Sequence, residues 1–238
     1  MTKTRSALPA ERPLRLFVND TELVTLMATP DQLEELAYGW LWSNNLISAA
    51  DDVLELLADA DRALIWIKTR RELPPTLTRT VASGCGGGEL VVKLTDSLPR
   101  VDSGLKVSLT ELYDRQAEFL KQAVLYQRTG GVHGAALADA DRVIHVAEDI
   151  GRHNAVDKII GWSLKRSLDL SDKLILTTGR ISSEMLTKAA RAGLGLVGSM
   201  TAATDLAVKL AETAGVTVVG YIRKEKAVVY SRPERLSH

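Results

Sequence analysis

The chain has 238 residues, 45% hydrophobic and 25% charged, with 30 Lys and Arg balanced by 30 Asp and Glu. Such a length holds a sizeable core in one domain or two, and the even charge gives no pull toward nucleic acid or any other polyanion. A single cysteine excludes an intramolecular disulfide and a thiolate-built structural zinc site, and it fits a reducing cytoplasm.

No run of about 18 apolar residues offers a membrane span. Lys3, Arg5, Arg12 and Arg15 precede no apolar segment of the kind a signal peptide needs. Residues 1–13, with Pro9 and Pro13, read as a loose arm. Leu14 to Val18 alternates like a strand and runs into a turn at Asn19-Asp20. Thr29-Pro30-Asp31-Gln32 has the form of a helix start, with Thr29 as N-cap, Pro30 in the first helical position and Gln32 closing a capping box. That helix is expected to reach Asn44 and to bury Leu33, Leu36, Ala37, Tyr38, Trp40 and Leu41. A short helix over 50–57 and strands over 63–68 and 90–94 follow.

A Pro and a Gly within 98–104, with little periodicity, mark a boundary: an α+β subdomain over 1–104 and an α/β domain over 105–238. Ser108-Leu109-Thr110-Glu111 is a capping box that opens a helix burying Leu109, Leu112, Leu120 and Val124 and ending near Gly130. Strands over 134–138 and 142–147 form a hairpin across Asp139-Ala140-Asp141. Helices over 154–167, 183–192 and 204–214 then alternate with strands over 173–177, 195–199 and 216–222, and a last strand covers 227–231. This alternation predicts parallel βαβ units with helices covering the sheet.

The chemistry gathers in glycine-rich loops. Cys85 stands in Ser83-Gly84-Cys85-Gly86-Gly87-Gly88, where backbone amides can converge on an anion and favour the thiolate; the same residues also suit a small apolar cysteine beside a turn. His133, in Gly130-Gly131-Val132-His133-Gly134, is a candidate proton donor or anion guide, or a hydrogen-bonded structural histidine. Glu148 to Lys158 and Thr177 to Glu184 both place glycine, arginine and hydroxyl or amide side chains after a strand and before a helix, an arrangement that suits phosphate as well as it suits ordinary capping. In the second loop the candidates are Arg180 and Ser182. Tyr221-Ile222-Arg223-Lys224-Glu225-Lys226 crowds three cations at a strand turn, which reads either as a solvated hairpin tip or as a face and a charge for a nucleotide.

Several strings together resemble the FdhD family of formate dehydrogenase accessory sulfurtransferases. They are RTVASGCG around Cys85, TGGVHGAAL from Thr129, EDIGRHNAVDKIIG from Glu148, TGRISSEMLTKAARAG from Thr178, TAATDLAVKLAE with GVTVVGYIRKEKAVVY, and ATPDQLEELAYGWL near the start. The resemblance implies a cytoplasmic sulfurtransferase with a cytidine-deaminase-like α/β sandwich that dimerises. It implies that Cys85 takes persulfide sulfur from a cysteine desulfurase. The sulfur then passes to the molybdenum bis(molybdopterin guanine dinucleotide) cofactor of formate dehydrogenase, bound as substrate, with no resident metal. Tyr221 to Lys226 match the stretch to which the family assigns cofactor binding. Many members carry a second cysteine in a CGxCG loop, where this chain has Gly88, so release of sulfur by closing an internal disulfide is closed to it. The alternative reading is a binding or insertion chaperone without covalent relay. A zinc deaminase would need a cysteine pair that the chain lacks.

Overall fold

The computed structural model describes residues 7–71, 80–82 and 98–237. Cys85 and the strand expected over 90–94 lie outside the described residues. In chain order the elements are β1 (Arg12–Val18), β2 (Thr21–Ala28), α1 (Leu33–Ser43), β3 (Val53–Asp59), β4 (Leu64–Thr69), β5 (Thr80–Ala82), β6 (Val107–Ser108), α2 (Leu109–Gln122) and α3 (Val124–Thr129). They continue with β7 (His133–Ala138), β8 (Val143–Asp149), α4 (Arg152–Leu164), β9 (Leu174–Thr177), α5 (Ser183–Arg191), β10 (Leu196–Ser199), α6 (Asp205–Ala214), β11 (Thr217–Arg223), β12 (Lys226–Ser231) and β13 (Leu236–Ser237). The fold is mixed α/β, and none of the described helices is long and apolar enough to cross a membrane.

Contacts group the chain into two units, one of residues 1–86, 125–132 and 147–168, the other of 87–124, 133–146 and 169–238. The sequence suggests one cut near residue 104, whereas this grouping passes from unit to unit several times along the chain. The cause in the first unit is the packing of α4 on α1, which ties two segments far apart in sequence.

The first unit is built on a sheet of order β3-β4-β1-β2-β5. Asn19 and Asp20 both take positive φ, 48° and 67°, the left-handed pair that a tight hairpin between β1 and β2 requires. Leu14, Leu16, Val18, Val24, Leu26, Ile65 and Ile67 face a core shared with Leu33, Leu36, Ala37 and Leu41 of α1. Two sequence expectations fail here. The helix over 50–57 is a single 3-10 turn at Ala50–Asp52 followed by β3, which pairs antiparallel with β4. Leu, Glu and Ala are good helix formers, but propensity is worth only tenths of a kcal/mol per residue, about 0.5 or less here, and the ladder with β4 overrides it. The capping box at Thr29 is also absent: α1 starts at Leu33 behind Gln32 at φ 50°, with no side-chain cap.

Thr29 is bound instead into a buried polar lattice. Asp149 and Lys158 are fully buried and paired at 2.8 Å. The Asp149 carboxylate also accepts from the amides of Thr29 (3.1 Å) and Gly151 (2.9 Å) and from Asn154 Nδ2 (2.9 Å). Lys158 Nζ donates to the carbonyls of Thr29 at 3.2 Å and Glu148 at 2.9 Å. Glu148 in turn takes the amides of Leu125 and Tyr126 at the start of α3, at 2.9 and 2.6 Å. The first of the two anion-loop candidates is therefore occupied by the chain itself: Asp149 supplies the negative charge at the N-terminus of α4.

The second unit carries the sheet β12-β11-β10-β9-β7-β8. As expected, β9, β10 and β11 are parallel and joined by α5 and α6, with β7 and β12 antiparallel to their neighbours. The 139–141 turn is present, Asp139 accepting the amides of Asp141 and Arg142 at 3.0 and 2.9 Å. So is the Ser108–Glu111 capping box, with reciprocal bonds of 3.1 and 2.6 Å. The helix it opens stops at Gln122, and Phe119 rather than Val124 is in the core; Val124 is 56% exposed.

Candidate functional site

The carboxyl ends of three parallel strands are where an open α/β sheet binds its ligands. In the second unit those ends are stitched into one rim by backbone and hydroxyl bonds. The Thr178 amide donates to the Gly134 carbonyl at 3.0 Å, Thr178 Oγ1 takes the Gly134 amide at 3.0 Å, and Thr177 Oγ1 donates to the Gly134 carbonyl at 3.1 Å. Ser199 Oγ donates to the Gly179 carbonyl at 2.6 Å. Ile181 donates to Ala202 and accepts from Thr204, while Tyr221 donates its amide to Thr201. Loops after β9 and β10 and the middle of β11 are thereby held edge to edge.

The sequence candidates fall on this rim in two groups. His133, at the start of β7, lies with Nδ1 3.5 Å from Thr178 Oγ1. Ser182 caps α5 by accepting the Met185 amide at 3.3 Å. Arg180 is exposed between buried Gly179 and Ile181, so its guanidinium is available at the mouth of the second anion loop. The other group forms an open cleft of about 610 Å³ lined by Tyr113, Tyr221, Arg223, Glu225, Lys226, Ala227 and Val228. Four of the six residues from Tyr221 to Lys226 therefore share one surface; Lys224 is exposed at the hairpin tip, and Ile222, 1% exposed, faces inward beside Gly198. His133, Arg180 and Ser182 sit on neighbouring loops and do not line the cleft.

Tyr221 is the unusual residue of the group. The β11–β12 register shifts between Gly220 and Arg223, a bulge that leaves Tyr221 with φ 53° and 47% exposed. A bulky residue in left-handed backbone costs about 1 to 2 kcal/mol, and bulges recur beside sites where they re-aim a side chain. Gly220 makes the bend possible, since a Cβ there would press on the Tyr230 ring at 2.6 Å and on the Thr201 carbonyl at 2.8 Å. Burial pushes the Tyr230 phenol up, and Tyr221 adds to the shift. Tyr221→Gly is expected to hold or raise the thermal midpoint, because about 1 kcal/mol of strain is relieved and little packing is lost. A midpoint lowered by several degrees in a thermal melt would instead make the ring a packing residue.

Sequence reading misses three lining residues: Ala227 and Val228, which follow directly on the hairpin, and Tyr113. Tyr113 lies on α2 one turn after Leu109, a spacing that reads as core, and more than a hundred residues separate it from the hairpin it faces.

The FdhD/NarQ family profile matches residues 9–237. A protein named sulfur carrier protein FdhD from Staphylococcus aureus (strain MRSA252) is 36% identical over 232 residues, 95% of this chain and 88% of that one. A protein of the same name from Halalkalibacterium halodurans is 38% identical over 234 residues, covering 95% and 87%. A crystal structure described as that of a candidate formate dehydrogenase accessory protein from Desulfotalea psychrophila superposes with a TM-score of 0.81 at 28% identity, over 97% of this chain and 90% of that one.

Proposed function

Because this chain belongs to the FdhD/NarQ family, we propose that it carries sulfur for the maturation of formate dehydrogenase through Cys85. The observation that carries the reading is the cysteine count. Relatives covering most of the chain are named sulfur carriers, covalent carriage needs a thiol, and Cys85 is the only one here. In the first step the Cys85 thiolate attacks the outer sulfur of a persulfide on a cysteine desulfurase. One S–S bond forms, another breaks, and the donor's cysteine leaves as thiolate. Because Gly88 leaves the loop no second cysteine, an external thiol attacks the Cys85 sulfur: the S–S bond of the persulfide breaks, the outer sulfur leaves at the sulfide level for the molybdenum bis(molybdopterin guanine dinucleotide) cofactor, the substrate, and a second thiol returns the resulting mixed disulfide to Cys85 thiolate.

The rim of the second unit is the proposed seat of that cofactor. Tyr221 offers a ring face to a base, and Arg223, Lys226 and Arg180 offer cations to phosphates, with Lys224 at the tip and Glu225 as the acceptor among them. Ile222 supports the hairpin from within, Ser182 orders the α5 start, and His133, beside Thr178, is placed to donate a proton or guide an anion. The fold reading that accompanies this is a cytidine-deaminase-like sandwich, supported by the three parallel strands and their helices. The protein is read as a cytoplasmic homodimer with no resident metal.

Cys85→Ser in cells lacking the wild-type gene is expected to abolish formate dehydrogenase activity while the protein accumulates normally. Activity retained at the wild-type level would replace the relay with cofactor insertion by affinity alone, the reading that Gly88 favours.

A further inference from the structure

On one side the sheet of the first unit ends at β3, which among the described residues pairs with β4 alone and so offers an open row of backbone amides and carbonyls. A bulge between Val53 and Glu55 leaves Leu54 out of the ladder, and regular pairing runs from Glu55 to Asp59. Leu56 and Ala58 pack on the core, so Glu55, Leu57 and Asp59, at i, i+2 and i+4, share the opposite face. Trp66 lies across from Leu57, and Phe17 lies beside Trp66 with the two rings stacked at 6.1 Å. An apolar row thus crosses three strands and stops at the edge with Leu57. At 65%, Leu57 is the most exposed large hydrophobic residue of the described strands and helices.

The rows above and below it each end in an acid. Asp59 follows Arg15 and Leu64, and Glu55 follows Lys68. Among the described residues Glu55 makes no ion pair with Lys68, while Asp59 has Arg62 at 3.7 Å, a side chain 75% exposed. Arg15 is taken by Glu22 at 2.6 Å and lies over the Phe17 ring. Charges on a sheet edge turn away strands of like charge, and these turn away a second copy: antiparallel pairing about Leu57 would set each chain's Glu55 opposite the other's Asp59. They favour a strand that brings the opposite charge at the same spacing. From this we infer that β3 is a docking edge for an extended segment of a partner protein with the pattern cation-x-apolar-x-cation, its cations opposite Asp59 and Glu55 and its apolar side chain beside Leu57. Main-chain bonds along the edge supply affinity, and the acid-leucine-acid face selects the sequence.

The test is fluorescence anisotropy of a fluorescein-labelled peptide, STKTVTKTS-amide, titrated with the full chain. Wild type is expected to bind, more weakly as salt is raised. The Glu55→Lys, Asp59→Asn double variant is expected to bind about tenfold more weakly or worse. Asparagine there keeps the turn bond that Asp59 Oδ1 accepts from the Arg62 amide at 2.9 Å. Leu57→Thr, which leaves the charges alone, is the second variant and is expected to lose about threefold or more. Wild type that leaves the peptide unbound overturns the inference, as does equal affinity for the same peptide with glutamates in place of its lysines. Folded variants with wild-type affinity overturn it, and so does failure of both variants to fold, because the face would then be structural. A wild-type dimer in sedimentation that Leu57→Thr separates would give the edge to a second copy and overturn it too.

Discussion

Replacing Lys158 by Met is expected to cost about 3 to 5 kcal/mol of folding stability. The ammonium is fully buried, and its removal leaves the Asp149 carboxylate without its counter-charge and the carbonyls of Thr29 and Glu148 without a donor. Methionine fills the same volume, so the loss reports charge and hydrogen bonding rather than a cavity. Urea denaturation followed by tryptophan fluorescence checks it: the midpoint should fall with little change in slope. A loss below about 1 kcal/mol would mean that water reaches Asp149 and that the lattice is not what holds the 148–158 segment.

Gly39→Ala and Gly161→Ala are each expected to lose about 3 kcal/mol or more, against the sign that helix propensity alone gives. Alanine is the better helix former by about 1 kcal/mol, and both glycines lie in helix interiors. A Cβ on Gly39, however, would overlap the Asp157 carbonyl, and one on Gly161 would overlap the Glu35 carbonyl. Backbone meets backbone at both points, so neither helix can yield by turning a side chain aside. Next to them Ser43 Oγ donates to Asp157 at 2.6 Å, and Lys165, the C-cap of α4, pairs with Glu34 and Glu35 on α1, fixing the register of the crossing. Thermal and urea midpoints of the two variants decide the matter; either alanine variant as stable as wild type would mean that α1 and α4 can separate at no cost.

What was legible in the sequence depended on how local the physics was. The Ser108–Glu111 box, the Asp139 turn and the alternation from β9 to β11 are set by neighbours a few residues apart, and they stand where expected. Local sequence does not mark β2, although Thr21 to Ala28 follows a clear turn, because its strand character becomes decisive only when paired with β1 and β5. β3 reads as a helix from sequence for the same reason. Thr29 and the Glu148–Lys158 loop carry residues that serve capping and anion binding equally well, and only the approach of Asp149 to Thr29 and Asn154 tells which use is made of them. At the candidate site, the hairpin from Tyr221 to Lys226 could be marked out by its cations. The inward turn of Ile222, the bulge under Tyr221 and the contribution of Tyr113 needed the fold.

The proposal of sulfur carriage turns on whether Cys85 accepts a sulfur atom. Intact-protein mass spectrometry after incubation with a cysteine desulfurase and cysteine tests it most directly, with Cys85→Ser as the control. A gain of one sulfur atom that a thiol reductant removes, and that the Ser variant never acquires, is the expected result. An unchanged mass in the wild type, or an equal gain in the variant, would contradict it.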